Sequence, residues 1–206
     1  TGRSKIYVDK ILQTISGEHF KNYEIKNVLR NVGNVRLYYG SSNEYFDYDH
    51  VIFATHADTA LKLINNPTEN EKKILENFKY KKNVAYLHND IFFMPQNKKT
   101  WSSWNSIMDK ADLNKNCVTY WLNKLQNLKT EKDYFLTLNP IANIDKSKII
   151  KKVEFTHPFY DMKTVKAQKY LAELQGVNNS WFCGSYFGYG FHEDGLTSGI
   201  NVSNKL

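Results

Sequence analysis

Residues 181–199, WFCGSYFGYGFHEDGLTSG, join an apolar, strand-like segment to a loop of glycines and aromatics and then to a helix start. Glycine lets a backbone approach a neighbouring group closely, and the acidic pair before Gly195 is typical of a helix N-terminus. The pattern predicts a helix over about 194–204. Its first N–H groups, from Gly195 and Leu196, would attract an anionic or electron-rich ligand. A purely structural glycine turn capped by Asp194 is the alternative that these residues leave open.

A second strand-to-helix segment lies upstream, HVIFAT at residues 50–55. Its apolar residues are continuous rather than alternating, which predicts a strand buried on both faces of a sheet. A helix over 57–64 follows, and Thr68 with Glu71 three residues later predicts a capping box at the start of another helix. Short β-type runs before this strand, within residues 23–54, predict a meander.

The other segments predict a helix at 4–15 and a helix at 161–175, which Asp161 caps and Gly176 ends. Between them lies a block rich in tryptophan and tyrosine. It predicts a mixed or antiparallel sheet, with strands at 84–89, 100–107, 117–125, 134–138 and 149–156.

Composition limits the function classes. The chain has 206 residues, a formal net charge of +7 and a pI of about 9.2, but its lysines are scattered in short pairs, which disfavours a specific nucleic-acid site. No apolar run reaches membrane-spanning length and the first residues lack a signal-peptide pattern, so a cytoplasmic protein without a transmembrane segment is expected. Cys117 and Cys183 have no metal-ligand spacing, and no metal is expected.

The glycine-rich stretch resembles the C-terminal flavin-binding segment of the flavin-containing amine oxidoreductase superfamily. It is similar to a bacterial subgroup described as predicted NAD/FAD-binding proteins, with Gly184 at the strand end and Asp194, Gly195 and Leu196 at the helix start. Residues 46–64, FDYDHVIFATHADTALKLI, resemble the signature strand and helix of that subgroup. TYWLNKLQ, FLTLNP, HPFYD and LQGVNNSWFCG are also similar in order and spacing, so the resemblance covers nearly the whole chain.

The resemblance implies an α/β (mixed α+β) fold: the C-terminal portion of an FAD-binding, Rossmann-like amine-oxidase fold with a mixed or antiparallel substrate-domain sheet. It implies that residues 1–66 belong to the FAD-binding domain, 67–160 to the substrate domain, and 161–206 to the C-terminal FAD-binding strand, loop and helix. The FAD contacts that it implies are Ala54, Thr55, Gly184, Ser185, Glu193, Asp194, Gly195 and Leu196. Candidate substrate-pocket residues are Trp104, Tyr120, Tyr189 and His192; no catalytic side chain is assigned.

Two departures from the superfamily pattern matter. The G-x-G-x-x-G pyrophosphate cradle does not occur in the sequence, so the expected partner is the missing N-terminal half of the same protein, and the fragment alone is expected to be inactive. Ser185 stands where many members have Glu, which weakens the assignment of a polar ligand contact to this residue. The expected reaction is dehydrogenation of a C–N or C–C bond of a small-molecule or lipid-like substrate, with FAD as hydride acceptor. A non-catalytic module whose basic, aromatic surface binds an acidic partner or nucleic acid remains the alternative.

Overall fold

The computed structural model describes residues 3–41, 44–109, 112 and 115–206. They form two compact units, one from the residues up to Glu76 together with Ala167–Leu206, the other from Asn77–Lys166. The elements in chain order are α1 (Arg3–Thr14), β1 (Ile25–Arg30), β2 (Val35–Tyr39), β3 (Glu44–Tyr48), β4 (Val51–Phe53), α2 (Ala57–Leu63), α3 (Glu69–Leu75), β5 (Lys79–His88), β6 (Trp104–Met108), β7 (Asn116–Trp121), α4 (Leu122–Leu125), β8 (Phe135–Leu138), β9 (Ile149–Phe159), α5 (Met162–Gln168), β10 (Ser180–Phe182) and α6 (His192–Ser203).

The first unit contains two small sheets. β1, β2 and β3 form the predicted antiparallel meander, and β4 pairs in parallel with β10, which follows it by more than a hundred residues in the chain. Phe53 of β4 stacks on Phe182 of β10, with ring centroids 5.2 Å apart. α2 packs against β1 of the meander and against α3, and its residues Ala57 and Ala60 are buried.

Strand β4 differs from its prediction in one respect. Val51 and Phe53 are buried, but the Ile52 side chain, which points to the opposite face, is 48% exposed. The continuous apolar run therefore forms a strand, as predicted, yet only one of its faces is covered by the described residues.

Helix α3 belongs to the first unit and carries the predicted capping box. Thr68 Oγ1 accepts the Glu71 N–H at 3.2 Å, and Glu71 Oε2 accepts the Thr68 N–H at 2.7 Å. The Glu71 carboxylate also pairs with the Arg30 guanidinium of β1, and both side chains are buried. This ion pair joins α3 to the meander, and both belong to the same compact unit.

The second unit is one antiparallel sheet of strand order β6-β7-β8-β5-β9. Among the described residues, its core includes two apolar clusters. Buried hydrogen bonds join His88 Nε2 with Thr137 Oγ1 (2.7 Å) and Thr137 Oγ1 with Thr119 Oγ1 (2.8 Å). The sequence predicted a mixed or an antiparallel sheet, and the strand pairings show that this sheet is antiparallel. The clusters centre on Phe93, Cys117 and Ile144, and on Met94, Trp101 and Phe135.

The predicted helix at 161–175 is interrupted. α5 ends at Gln168, and a short 3₁₀ turn over Leu171–Leu174 follows, buried through Leu171 and Leu174. Gly176 then adopts φ +80°, as the predicted stop requires. The second half of the predicted helix forms a 3₁₀ turn instead, and the Gln175 side chain that follows it bonds to the backbone of Phe182 in β10.

Candidate functional site

The strand ends of β4 and β10 form the centre of the candidate site in the first unit. The two strands are parallel, and the Cys183 N–H donates to the Phe53 carbonyl at 3.0 Å, so both chains leave the sheet at the same edge. A Cβ built on Gly184 would lie 3.7 Å from the Thr55 carbonyl oxygen. Ala54 and Thr55 thus lie beside Gly184 and Ser185, at the carboxyl ends of parallel strands, where open α/β sheets bind their ligands.

Gly184 occupies a position that only glycine fits. Its φ is +154°, and an added Cβ would lie 2.7 Å from the Tyr186 ring. The Gly184 N–H donates to Ser198 Oγ at 2.9 Å, and the Ser198 hydroxyl, which is buried, contacts the Gly195 carbonyl at 2.7 Å. Ser198 therefore fastens α6 to the end of β10.

Helix α6 begins two residues earlier than predicted. Phe191 is the N-cap and His192 the first helical residue, and the Gly195 N–H donates to the Phe191 carbonyl at 3.2 Å. The expectation that Gly195 and Leu196 supply the free N–H groups is therefore wrong. The first-turn donors belong to His192, Glu193 and Asp194.

The Asp194 carboxylate explains the earlier start. Its Oδ2 accepts the N–H of Tyr189 at 3.0 Å and that of Phe191 at 2.9 Å, so the side chain turns back onto the glycine loop. A Cβ at Gly188 would lie 2.1 Å from Asp194 Oδ1, so glycine at 188 makes this return possible. The Asp194 carboxylate therefore holds the conformation of the glycine loop, and its Oδ2 is already bonded to the loop backbone.

Most of the residues around this edge are solvent-exposed. Ala54, Thr55, His192 and Glu193 are exposed, and so are large apolar side chains next to them. A Cβ on Gly199, one turn further along α6, would meet nothing within 4 Å among the described residues. The exposed apolar side chains are Tyr189 (84%), Phe191 (68%), Leu196 (59%) and Ile200 (50%).

Two residues that sequence reasoning missed hold the site together. One is Ser198, whose spacing one turn after Asp194 resembles any polar helix position. The other is Gln168, whose Nε2 donates to the Gly188 carbonyl at 2.6 Å and to the Tyr186 carbonyl at 3.1 Å. Gln168 lies twenty residues from the loop it supports, so no local sequence signal could have identified it.

The predicted substrate-pocket residues come from both units. Trp104 and Tyr120 are direct partners on β6 and β7, with ring centroids 5.4 Å apart, and Trp104 is 64% exposed. Tyr189 and His192 belong to the first unit, on the glycine loop and at the start of α6. Their joint role in one pocket stays a prediction.

Cys183 lies immediately before the strand end but is not a reactive group. Burial raises the pKa of its thiol, and its side chain is 8% exposed within a cluster with Trp181 and Val202. A raised pKa leaves little thiolate near neutral pH, so the side chain serves packing. Within residues 3–41, 44–109, 112 and 115–206, no cluster of three or more His, Cys, Asp or Glu side chains could hold a metal ion, and no helix is long and apolar enough to cross a bilayer.

Known proteins match this chain in structure but not in sequence. No family model and no curated protein matches the sequence. Solved structures do match: a CLA-producing fatty acid isomerase from P. acnes with a TM-score of 0.66 and 14% identity, putrescine oxidase bound to putrescine with 0.63 and 10%, and a putative protoporphyrinogen oxidase from Exiguobacterium sp. 255-15 with 0.61 and 10%.

These matches cover 98%, 99% and 98% of this chain but only 51%, 53% and 50% of the solved ones. The chain thus spans about half the length of the proteins that it resembles. Its fold is amine-oxidase-like, with a mixed first unit and an antiparallel sheet in the second, as the sequence predicted.

Proposed function

We propose that this chain is the C-terminal part of an FAD-dependent oxidoreductase of the amine-oxidase type, which dehydrogenates a C–N or C–C bond. The observation that carries the proposal is the meeting of Thr55, Gly184 and the first turn of α6 at one edge of a parallel strand pair. The amine-oxidase-like fold and the sequence resemblance support it independently.

The residues at this edge fit one end of FAD. The first-turn N–H groups of α6 and its helix dipole suit electron-rich ring atoms. The space at Gly199 and the exposed side chains of Phe191 and Leu196 suit a flat, largely apolar ring. The proposed contacts are Ala54, Thr55, Gly184, Ser185, Glu193, Asp194, Gly195 and Leu196, the carboxylate of Asp194 acting through the loop that it holds.

The other end of FAD has no cradle in this sequence, because no G-x-G-x-x-G segment occurs. The proposal therefore includes a second half of the same protein, which would bind the pyrophosphate. It follows that the chain alone would hold FAD weakly and would be inactive.

When bound, FAD would accept a hydride from the substrate carbon. The chain's own contribution would be positioning and electrostatics. The N–H groups of His192 and Glu193 would stabilise negative charge in front of α6, because they are fixed by the helix and need no reorganisation. Phe191 and Tyr189 would exclude water from that position.

The proposed substrate is an amine or a lipid-like small molecule. Structural neighbours include putrescine oxidase, cyclohexylamine oxidase and a fatty acid isomerase. Trp104, which is exposed, and Tyr120, which is half-buried, stay the candidate residues for the apolar part of such a substrate. A cytoplasmic location is part of the proposal, in keeping with two free, buried cysteines.

The test is the visible spectrum of the gene product purified from its own cells. We expect an oxidised-flavin spectrum that bleaches when dithionite is added. Gly195→Phe should lower the flavin content, because it places bulk beside the strand-end edge, where a Cβ added to Gly195 would lie 3.7 Å from the Ser185 nitrogen. Ser203→Phe, at the exposed C-terminal end of the same helix, is the matched control and should retain the flavin.

A colourless product that stays colourless during FAD titration would overturn the proposal. The alternative of a basic binding module would then predict salt-sensitive binding of the chain to a polyanion such as heparin.

A further inference from the structure

The positive charge of the chain is concentrated in the second unit. Residues 77–166 contain sixteen lysines and no arginine, against eight aspartates and glutamates, so that this unit carries a formal net charge of +8. The whole chain carries +7, so the residues of the first unit together carry −1. A unit with this charge attracts anionic partners and repels a second copy of itself.

The start of β5, the end of β9 and the first turn of α5 meet at one end of the second unit. Lys79 is the first residue of β5 and pairs with Phe159, the last residue of β9. In α5, the buried Thr164 hydroxyl donates to the carbonyl of Asn77, two residues before β5, at 2.9 Å. This hydrogen bond holds the helix beside the strand ends.

The face of α5 opposite Thr164 is exposed and carries both cations and apolar side chains. Met162 and Lys166, one helical turn apart, lie at its centre, and Lys163 and Val165 lie on either side. All four side chains are exposed, Met162 by 71% and Val165 by 46%. Two aliphatic side chains thus stand in water between two ammonium groups.

The strand ends add two further lysines. Lys79 and Lys81 are exposed, and the Lys81 Nζ lies 3.6 Å from the centre of the Phe159 ring. Among the described residues, no ion pair occupies Lys79, Lys81 or the two lysines of α5. The Asp161 carboxylate beside them accepts the Thr164 N–H at 2.8 Å and so caps the helix. The six exposed side chains are called the α5 surface: Lys79, Lys81, Met162, Lys163, Val165 and Lys166.

We propose that the α5 surface binds the anionic headgroups of a lipid bilayer, with Met162 and Val165 entering the boundary between the headgroups and the acyl chains. Lysines close to an anionic bilayer each contribute to binding, and exposed apolar side chains among them add contact with the lipid. A single-stranded nucleic acid fits less well, because it needs open aromatic faces for its bases, whereas Lys81 occupies one face of the Phe159 ring. Binding at this surface requires no flavin.

The test measures binding of the full gene product to lipid vesicles by co-sedimentation. We expect binding to vesicles of phosphatidylcholine mixed with phosphatidylglycerol, and none to phosphatidylcholine alone. Binding should weaken with rising salt, because salt screens exposed charges. The double variant Lys163→Gln, Lys166→Gln should lower the partition coefficient about 30-fold, since each lysine contributes about 1 kcal/mol and about 1.4 kcal/mol is a factor of ten.

The matched control removes the same charge from the opposite end of the same unit. Lys124 lies in α4, which follows β7 directly at the His88 end of the sheet, and the exposed Lys129 lies four residues after α4. His88 is about 30 Å along β5 from Lys79. The double variant Lys124→Gln, Lys129→Gln should therefore bind the vesicles like the unchanged protein.

The apolar contact has its own readout. Met162→Gln should lower the partition coefficient about 5-fold, because partial burial of a methionine side chain contributes about 1 kcal/mol, and it should leave binding to heparin unchanged. Cys117 and Cys183 are buried, so Met162→Cys permits selective labelling with an environment-sensitive fluorophore. Its emission should shift to shorter wavelength with the anionic vesicles only.

No binding to anionic vesicles at low salt, equal binding to phosphatidylcholine alone, or an equal loss in the control double variant would each overturn the inference. It would also fail if the lysine changes at α5 weakened heparin and vesicle binding equally while Met162→Gln changed neither, since the surface would then be a site for a polyanion. A yellow gene product that ignores anionic vesicles would refute this inference alone. A colourless product that binds them would refute the proposed function alone.

Discussion

At the scale of single residues, the buried Glu71 side chain takes part both in a helix cap and in an ion pair. Its carboxylate closes the capping box of α3 and pairs with Arg30 of β1, and the Arg30 Nη2 also donates to the Asn66 carbonyl at 2.7 Å. Both charged side chains are buried, with 1% and 0% of their side-chain surface exposed. A buried charge that loses its partner is costly, because desolvation is no longer compensated.

We expect Glu71→Gln to lower the free energy of unfolding by about 3–5 kcal/mol. The double variant Arg30→Met, Glu71→Leu should lose less than the two single changes together, because it leaves no unpaired charge. Urea unfolding followed by circular dichroism measures both. Glu69→Gln, two residues earlier on the exposed side of α3, is the control; if it is as damaging as Glu71→Gln, the ion pair does not hold α3 in place.

At the scale of elements, the N-terminus of α6 depends on a side chain inside its own first turn. Asp194 accepts two loop N–H groups, while Gln168 and Ser198 fix the loop and the helix to the neighbouring backbone. The loop, the helix start and the strand end therefore form one hydrogen-bonded piece. These hydrogen bonds fix the direction in which the N–H groups of the first turn of α6 point.

Asp194→Ala should loosen the loop without unfolding the strand pair. We expect faster amide exchange at Tyr189 and Phe191 and a loss of about 1 kcal/mol in stability, typical of a lost capping interaction. Cys183 should stay unreactive towards a thiol reagent, because it is buried in a cluster with Trp181 and Val202. Glu193→Ala, an exposed acidic neighbour in the same turn, should change none of these readouts, and an equal effect of both variants would contradict the role of Asp194.

At the scale of the whole molecule, each unit has its own core and its own buried polar network. The ion pair of Arg30 and Glu71 stabilises the first unit, and the chain of His88, Thr137 and Thr119 lies in the second. Burial lowers the pKa of His88, although the nearby Asp90 charge acts in the opposite direction. The stability of the second unit should therefore depend on pH through His88.

The direction of this pH dependence follows from proton uptake by the unfolded chain. Below the ordinary histidine pKa of about 6.5, the unfolded chain binds a proton that folded His88 does not, so the stability of the second unit falls as the pH falls. Asp90, whose pKa is lowered mainly by N–H donors and Lys148 against the cost of burial, titrates only in more acid solution. Amide exchange of Thr137 at pH 7 and pH 5, corrected for intrinsic rates, should show this loss, and Phe182 in the first unit should not share it.

His88→Gln should reduce the difference between the two pH values. His157→Gln, at an exposed position of β9, should leave it unchanged. A pH response that persists in His88→Gln would assign the effect to another group.

The sequence by itself determined most of the elements and, through the family resemblance, the fold class. The capping box of Thr68 and Glu71, the meander and the strand-to-helix segments at 50–64 and 181–204 follow from periodicity and local hydrogen bonding, which act over a few residues. Each strand end followed by a helix carries its own local signal, whereas the meeting of the ends of β4 and β10 at one site was implied only by the family resemblance.

Only the tertiary structure decided how these segments use their side chains. It turned Asp194 back onto the loop, placed Gln168 and Gln175 against backbone many residues away, and left Ile52 uncovered while Trp181 beside it is buried. These outcomes depend on distances between residues far apart in the chain, which no local pattern specifies. Whether Ile52 is buried depends on which elements pack against its strand, and an apolar run in the sequence does not specify those elements.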